Sequence, residues 1–582
     1  MHVVATAGHV DHGKSTLVRA LTGQDPDRLE EERRRGLSIE LGYCWTELAG
    51  AGEVAFVDVP GHERFIATTL AGLGPVPVAL LVVAADDPWM PQAAEHLAAL
   101  DALGVRHGVL VVTRADLADP GPALARARSE VDRTSLAGAP AVVVSGRTGA
   151  GMAELRSVLA AVLSGLPGAP EDGDTRLWVD RRFHVRGTGT VVTGTLVSGS
   201  VAPGDVLEGA GEPVRVRGVE ALGRPRERMA AVARVALDLG GRAPEPVGRG
   251  TALVTPGAFL EASTVDVALS GAEDLDHVPE HPLLHCGSAV VGVRPRRLAA
   301  GAWRLILDRP LPVRVGDRAV LRDPGSRALW GVEVLDPVPP ALRRRGAAAE
   351  RGRVLLSGDH SPGAELARRA VVRRSLLRRA GVVVEPLPPG TVVAGDWLVD
   401  PALARSLRER LVALVGETEA RGEEGLAPAA AARALDLPDP ALALALVDPP
   451  LHLERGRITA ARDRGLPPEA QHALERLRAE LAADPFAAPD AARLAELEVD
   501  DTLLARLHRS GHLVRLAPGL ALLPGAVDEA VQRLAALPEP FTVSEARQAL
   551  GTTRRVVLPL LAHLDATRRT ARLPDDRRRL RG

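Results

Sequence analysis

One glycine-rich segment near the start of the chain combines residue types that bind phosphate. It reads G-H-V-D-H-G-K-S-T at 8–16 and lies between an apolar run at 2–7 and a helix-like stretch that extends to residue 21. Backbone N–H groups of such a loop cradle phosphates, a lysine neutralises them, and a serine hydroxyl ligates Mg²⁺. Lys14 is the only lysine among 72 basic residues. The segment therefore predicts a nucleotide site, against the alternative of a simple glycine turn. The predicted contacts are Asp11, His12, Gly13, Lys14, Ser15 and Thr16.

Two further segments could complete the chemistry at the phosphates. A strand-like run at 54–58 ends in D-V-P-G-H-E at 58–63. Asp58 could hold Mg²⁺ through water, Gly61 could offer an N–H to the terminal phosphate, and His62 could orient an attacking water. Ser38, in the polar segment R-G-L-S-I-E at 35–40, offers another hydroxyl to Mg²⁺. We therefore expect Ser15, Ser38 and Asp58 at the metal and His62 as the catalytic residue.

Another pair of segments could recognise the base. A strand-like run at 108–112 leads into T-R-A-D at 113–116, and another at 141–144 leads into S-G-R at 145–147. Guanine presents two N–H donors on one edge, and a carboxylate at Asp116 can accept both, whereas adenine has no such pair. The sequence therefore predicts GTP and GDP, with Mg²⁺, as the bound cofactors. The predicted contacts at this end are Thr113, Arg114, Asp116, Ser145, Gly146 and Arg147.

The elements that must position these motifs indicate a multidomain protein. Each motif follows a strand, with helical stretches between, which is typical of an α/β P-loop domain and predicts one at 1–170. Short Val/Thr strands with glycine turns then predict two small β-barrels, at 171–258 and 259–340. Residues 341–582 alternate helices with short strand pairs. This pattern predicts an array of four tandem winged-helix units, the last at about 525–582.

Bulk composition excludes several classes of protein. No apolar run is long enough to cross a bilayer, and the first ten residues lack the basic region of a signal peptide. Cys44 and Cys286 are the only cysteines, so no disulfide framework is expected. We therefore expect a monomeric cytoplasmic protein without a membrane partner.

The C-terminal segment concentrates positive charge. Residues 552–582 hold nine arginines and three aspartates, on a chain whose net charge is −2. In the predicted last winged-helix unit these arginines would begin the third helix and lie on the wing, where they could clamp an RNA hairpin. The alternative is a solvated Arg-rich tail. The candidate RNA-binding residues are Arg554, Arg555, Arg568, Arg569, Arg572, Arg577 and Arg578.

Several of these motifs resemble a known family. G-H-V-D-H-G-K-S-T and D-V-P-G-H-E are similar to the motifs of translational GTPases. R-G-x-G-T-V-V-T-G-x-L at 186–196 and G-T-x-R-R followed by L-P-L-L-x-x-L-D resemble the selenocysteine-specific elongation factors of the SelB type. The resemblance implies barrels like domains two and three of elongation factor Tu. It also implies an apolar gate of Val10 and Leu37 beside a His62 that becomes effective when the ribosome positions it.

The same resemblance implies a cargo and its partners. It places an arginine-lined pocket for the selenocysteyl side chain at Asp180, Arg181 and Arg234, and an mRNA hairpin on the last winged helix. The selenol of selenocysteine is ionised at neutral pH, whereas the hydroxyl of the seryl precursor is neutral. Arginine therefore binds the selenocysteyl side chain more strongly than the seryl side chain. Ordinary surface arginines are the alternative for this pocket. The implied function is GTP-dependent delivery of selenocysteyl-tRNA to the ribosome at UGA codons marked by the hairpin.

Two other functions compete with this interpretation. The first is a general translation elongation or initiation GTPase, and the 242 residues that follow the predicted barrels argue against it. The second is a non-hydrolysing RNA-binding scaffold, against which Asp58 and His62 argue. Three segments depart from the family pattern: Ser38 stands for threonine, T-R-A-D for N-K-x-D, and S-G for S-A. We expect these departures to change nucleotide affinity rather than nucleotide identity.

Overall fold

The structure is a computed structural model that forms two compact units. One consists of Met1–Thr391 with Asp396–Asp400, and the other of Val392–Gly395 with Pro401–Gly582. Within the part of the chain that it describes, no helix has both the length and the apolar character needed to cross a membrane. The described residues are 1–27, 32, 34, 38–74, 76–87, 89–167, 173–187, 189–240, 245–271, 274–326, 328–342, 344–421, 423–460 and 468–581.

The first unit begins with a six-stranded sheet in the order β2-β3-β1-β4-β5-β6. β2 is antiparallel to β3, and the other neighbouring strands are parallel. The carboxyl ends of the parallel strands meet at one edge, where ligands bind in open α/β sheets. The strands are β1 His2–Ala7, β2 Gly42–Leu48, β3 Gly52–Asp58, β4 Val78–Ala84, β5 His107–Thr113 and β6 Ala141–Val143.

Helices cover both faces of this sheet. Apolar residues of α1 and α5 join one hydrophobic core, and those of α2, α3 and α4 join the core on the opposite face. β4 is buried along its whole length, as expected for a central parallel strand. The helices are α1 Lys14–Thr22, α2 Ile66–Leu73, α3 Pro91–Ala102, α4 Gly121–Val131 and α5 Met152–Ser164, with a 3₁₀ turn at Glu63–Phe65.

Two β-barrels follow the sheet domain. In the first, strand order β10-β15-β7-β8-β14-β11-β12 is closed by a pairing of β10 with β11. Two short strands, β9 Ser200–Val201 and β13 Met229–Ala230, pair with each other in a separate sheet. The barrel strands are β7 Arg176–Val185, β8 Gly189–Ser198, β10 Val206–Gly209, β11 Glu212–Ala221, β12 Arg224–Pro225, β14 Ala233–Gly240 and β15 Ala252–Val254.

The second barrel closes in the order β16-β19-β18-β17-β20-β21. Val320 and Leu329 of this barrel join the core that contains α3, so the sheet domain and the barrel share buried surface. The predicted fold class is confirmed. The strands are β16 Glu261–Ser270, β17 Leu283–Cys286, β18 Ala289–Ala299, β19 Ala302–Pro312, β20 Arg318–Arg322 and β21 Leu329–Asp336.

Residues 341–391 differ from the expectation that the C-terminal arm begins at 341, because they pack on the second barrel. Asp266 and Asp336 are buried carboxylates and require cationic partners. Arg304 of the barrel donates to Asp266 at 2.7 Å, and Arg351 donates to both carboxylates. Arg351 thereby ties the segment to the barrel. The elements here are helices Ala347–Leu355, Pro362–Arg369 and Arg374–Arg379 and strands Val371–Arg373 and Trp397–Val399.

The second unit alternates helices with two-stranded antiparallel hairpins. Its helices are Pro401–Ala420, Pro428–Ala434, Pro440–Ala445, Pro468–Ala483, Ala491–Glu496, Asp501–Arg509, Pro524–Leu534, Val543–Ala549 and Arg554–Ala566. Its strands are Val392–Ala394, Leu451–Glu454, Arg457–Ala460, Val514–Ala517, Leu520–Leu522, Thr570–Arg572 and Arg578–Leu580. The order of helices and hairpins follows the predicted pattern, while the division into four winged-helix units stays a prediction.

One hydrophobic core runs through the last two predicted winged-helix units. It extends from Ala473 to Leu564 and contains both Phe486 and Phe541. Thr552 donates a buried hydrogen bond to the Phe486 carbonyl at 2.6 Å. The two units are therefore packed as one body.

Candidate functional site

A cavity of about 550 Å³ lies at the carboxyl edge of the sheet, within the size range of small-ligand sites. Most of the residues predicted to contact the nucleotide line it. Val10, predicted as part of the apolar gate, also lines it, while Leu37 lies outside the described residues. The predicted residues in the lining are Asp11, Gly13, Lys14, Ser15, Thr16, Ser38, Gly61, Thr113, Arg114, Asp116, Gly146 and Arg147.

Two glycines let the backbone approach the place of the phosphates. Gly13 precedes α1 with φ of 84°, a left-handed conformation that favours glycine. A Cβ on Gly61 would lie 2.5 Å from the Val10 nitrogen and 2.6 Å from Lys14 Nζ. Side chains at these positions would therefore distort the loop or push the lysine aside.

Lys14 is buried at the floor of the cavity, with 6% of its surface exposed. Its Nζ donates to the carbonyls of Gly8 and His9, at 3.1 and 2.8 Å. Burial lowers the pKa of Lys14 to about 8, although the Asp58 carboxylate acts in the opposite direction. A phosphate dianion at this place would favour the charged form of the amine.

The residues predicted to bind Mg²⁺ lie together. Ser15 donates to the Asp58 carboxylate at 2.7 Å, and its Oγ is 3.2 Å from Ser38 Oγ. Thr6 donates to the other Asp58 oxygen at 2.6 Å, and burial raises the pKa of this carboxyl. Hydroxyl and carboxylate oxygens, completed by phosphates and water, are the ligands that Mg²⁺ prefers, so these residues fit the ion.

The loops at the base end are connected to the phosphate loop. Thr113 Oγ1 donates to the His12 carbonyl at 2.7 Å, and Arg114 pairs with Asp86 at 3.2 Å and donates to the Asp11 carbonyl. The pKa of Asp116 is lowered by a hydrogen bond from Ser145. Asp116 is therefore ionised and can accept hydrogen bonds from two donors of a base.

Replacing Asp116 by alanine is expected to lower GTP affinity and to reduce the preference for GTP over ATP, each by roughly tenfold to a hundredfold, because the guanine N–H groups lose their charged acceptor. Competition titrations with a fluorescent guanine nucleotide measure both quantities. Asp119→Ala is a suitable control, because Asp119 is three residues further along the chain, lies outside the cavity lining and accepts a hydrogen bond from the Gly121 N–H. An unchanged GTP-to-ATP ratio in Asp116→Ala would mean that another group reads the base.

Four predicted side chains lie outside the cavity lining: that of Asp58, described above, and those of His12, Ser145 and His62. His12 is fully buried, with Nε2 3.2 Å from an Asp87 oxygen, and it contributes through its backbone. Ser145 is buried and accepts a hydrogen bond from the Thr148 N–H at 3.1 Å. His62 begins the 3₁₀ turn, where its Nδ1 accepts from the Arg64 N–H at 3.2 Å. Its proposed catalytic position would require the ring to turn towards the cavity.

Some supporting residues escaped the sequence prediction. His96 Nδ1 accepts from the Gly8 N–H at 3.0 Å, and Gln92 accepts from the Val10 N–H at 3.4 Å. Burial lowers the pKa of His96 to about 3, so the ring stays neutral and keeps this acceptor. Their spacing of four residues on α3 was the available signal, because it places both side chains on one face of the helix. Other unpredicted residues of the lining are Leu17, Arg19, Asp27, Glu32 and Leu117.

The residues of the predicted selenocysteyl pocket lie together at the junction of the first barrel and the sheet domain. Arg234 forms a two-pronged ion pair with Asp180, and the side chains are 10% and 6% exposed. Arg181 lies 2.9 Å from the Glu40 carboxylate and donates to the Leu41 carbonyl at 2.7 Å. Both guanidinium groups also lie beside the ring of Tyr43. The cluster therefore includes residues from two domains.

The predicted RNA-binding arginines have different surroundings. Arg554 and Arg568 are exposed, with no side-chain partner in the portion of the chain that is described. Three others make surface ion pairs: Arg569 with Asp528, Arg572 with Asp576, and Arg577 with Asp575. Arg555 donates to the carbonyls of Ala488 and Pro489 and so joins the last two predicted units.

Arg578 is not available for RNA in this fold, and the prediction for this residue is wrong. It is 5% exposed and donates to Asp565 at 2.9 Å. Arg578 pairs with Phe541 through the backbone, and alternation along its strand turns its side chain inward. Arg577 and Arg579 on either side are exposed.

The fold and the cavity define a GTP-binding domain of the translation-factor class joined to two barrels. Residues 1–165 match the family model "Elongation factor Tu GTP binding domain", and residues 532–579 match "Elongation factor SelB, winged helix". The chain is homologous to the selenocysteine-specific elongation factors.

Three known proteins show this homology. The selenocysteine-specific elongation factor of Desulfomicrobium baculatum is 34% identical over 368 residues, which cover 60% of this chain and 58% of that protein. That of Escherichia coli (strain K12) is 36% identical over 355 residues, covering 59% and 56%. A crystal structure of bacterial selenocysteine-specific elongation factor EF-Sec is 26% identical, with a TM-score of 0.70 over 100% of both chains. The chain thus spans a little over half the length of the curated relatives that it matches.

Proposed function

We propose that this protein is a monomeric cytoplasmic GTPase that delivers selenocysteyl-tRNA to the ribosome at UGA codons marked by an mRNA hairpin. The observation that carries the proposal is the pairing of two matches in one chain, an elongation-factor GTP-binding domain at one end and a SelB winged helix at the other. The names of the relatives support the same cargo. GTP binding would gate the release of a tRNA held by the barrels while the last winged helix holds the message.

The described residues suit GTP hydrolysis by positioning and charge stabilisation. Lys14 would neutralise the β- and γ-phosphates, and the N–H of Gly61 would meet the γ-phosphate. Mg²⁺, held by Ser15, Ser38 and Asp58, would supply further positive charge. His62 would leave its hydrogen bond with the Arg64 N–H and orient the attacking water. We propose that the ribosome causes this rotation of the His62 ring.

A direct test compares two tRNAs and two reactions. Selenocysteyl-tRNA and seryl-tRNA are titrated into the GTP-bound protein, and GTP hydrolysis is then followed with and without ribosomes. We expect tighter binding of selenocysteyl-tRNA and hydrolysis that depends on ribosomes. Equal affinity for the two tRNAs would favour a general elongation factor, and an absence of hydrolysis under all conditions would favour a scaffold.

Replacing Arg568 or Arg577 by alanine is expected to weaken binding of the mRNA hairpin and to reduce its salt dependence, because each exposed guanidinium would contact phosphate. A loss of roughly threefold to tenfold per residue is expected, with unchanged GTP affinity. Titrations of labelled hairpin at several salt concentrations measure both effects.

Arg578→Ala provides the matched control on the same wing. Because Arg578 is buried against Asp565, its loss should lower the free energy of unfolding by about 3 kcal/mol. At temperatures where the Arg578→Ala variant is folded, we expect its affinity for the RNA hairpin to equal that of the unmodified protein. Unchanged hairpin affinity in both Arg568→Ala and Arg577→Ala would rule out the clamp.

A further inference from the structure

The pocket predicted in the first barrel is completed by the GTP-binding domain. Arg181 lies on β7 and Arg234 on β14, and the Tyr43 ring near the start of β2 lies beside both. The ring centroid is 5.2 Å from the central guanidinium carbon of Arg181 and 3.8 Å from that of Arg234. Tyr43 is the only tyrosine in the chain. The barrel therefore supplies the charges, and the GTP-binding domain supplies the aromatic surface beside them.

The two arginines differ in the N–H groups that remain for a ligand. Arg234 directs both terminal nitrogens to Asp180 and also donates to Thr195 at 3.3 Å. Arg181 is 31% exposed and uses Nη2 alone, towards Leu41 and Glu40. Among the described residues, its Nη1 and Nε have no hydrogen-bond partner. An incoming anion would therefore be bound by Arg181 rather than by Arg234.

The residues that hold Arg181 follow directly after a predicted Mg²⁺ ligand. Ser38 Oγ is 3.2 Å from Ser15 Oγ, and the N–H groups of Ile39 and Glu40 both donate to the Glu32 carboxylate at 3.0 Å. Glu40 is two residues beyond Ser38, so a shift of Ser38 would move the carboxylate that contacts Arg181. A nucleotide that moves Ser38 would therefore also act on the contact between Glu40 and Arg181.

We infer that Glu40 is a positioning residue for the anionic side chain of the cargo. It anchors Nη2 of Arg181, which leaves the N–H groups of Nη1 and Nε for the selenolate, and it does so while Ser38 lies beside Ser15. Glu40 is not part of the lining of the nucleotide cavity and acts through Arg181. The inference rests on the proposed function and adds to it a link between nucleotide state and cargo selectivity.

Glu40→Ala and Glu40→Gln test this inference in the full chain. With GTP bound, Glu40→Ala should bind selenocysteyl-tRNA about tenfold more weakly, with unchanged affinities for seryl-tRNA and GTP. Glu40→Gln keeps an acceptor oxygen for the guanidinium and should recover part of the loss. The matched control is Glu53→Ala, which removes the partner of Arg226 at the same junction of domains and should leave both tRNA affinities unchanged.

Three outcomes would overturn the inference. Unchanged binding of selenocysteyl-tRNA by Glu40→Ala would show that the carboxylate does not position Arg181 for the cargo. Stronger binding would show that the carboxylate competes with the cargo for Arg181. An equal loss for seryl-tRNA would show a general disturbance of the junction. Failure of the proposed function is distinguishable, because the unmodified GTP-bound protein would then bind the two tRNAs equally.

Discussion

Replacing Lys14 by alanine is expected to weaken GTP and GDP binding by about a hundredfold to a thousandfold, because several charge-assisted hydrogen bonds to the phosphates would be lost together. The lysine is buried at the cavity floor, so no other side chain can take its place without moving the loop. Lys14→Arg should not restore binding, because the larger guanidinium cannot fill the space beside Gly61. Equilibrium titration with a fluorescent guanine nucleotide measures these affinities.

Arg19→Ala is the matched control for this loss. Arg19 also lines the cavity, but its side chain is 56% exposed and pairs with Asp25 at the surface. Its removal should change nucleotide affinity by less than about threefold, as exposed ion pairs contribute little. Near-normal GTP binding by Lys14→Ala would refute the phosphate site and, with it, the proposed control of cargo by nucleotide.

Replacing His62 by alanine is expected to slow ribosome-stimulated GTP hydrolysis by about 10²- to 10⁴-fold, because the attacking water would lose the group that orients it. GTP affinity should stay within about twofold, since His62 is not part of the cavity lining. Single-turnover hydrolysis on ribosomes, measured beside nucleotide titration, separates the two quantities.

Arg64→Ala tests whether the effect belongs to the imidazole. The backbone N–H of Arg64 donates to His62, while its side chain is exposed, so this variant keeps the contact seen here. We expect hydrolysis at the normal rate. A normal rate in His62→Ala as well would place the catalytic group elsewhere in the chain.

The nucleotide site could be predicted from the sequence because its motifs are short and follow parallel strands. Strand order in an open α/β sheet brings the carboxyl ends to one edge, so Lys14, Asp58 and Asp116 converge although they are far apart in the chain. Side-chain directions within the motifs were less predictable. The ring of His12 is turned inward by Asp87, a partner that no spacing rule connects with it.

Contacts between domains could not be predicted from the sequence patterns. Glu40 and Arg181 are about 140 residues apart, and their pairing follows from how the first barrel docks on the sheet domain. Likewise, Arg351 was predicted to belong to the C-terminal arm, but it forms ion pairs with buried carboxylates of the second barrel. The prediction also placed Arg578 with the other arginines on the RNA-binding wing, although strand pairing turns its side chain inward.

The shared hydrophobic core of residues 473–564 has a mechanical consequence for the proposed binding of an mRNA hairpin. An RNA hairpin bound to the terminal wing would contact a single body about twice the size of one winged-helix unit. Tension on the RNA would pass through Phe486 and Phe541 into the preceding helices without bending a joint between them. Under the proposed function, movement of the ribosome along the message would therefore displace the core of residues 473–564 as one body.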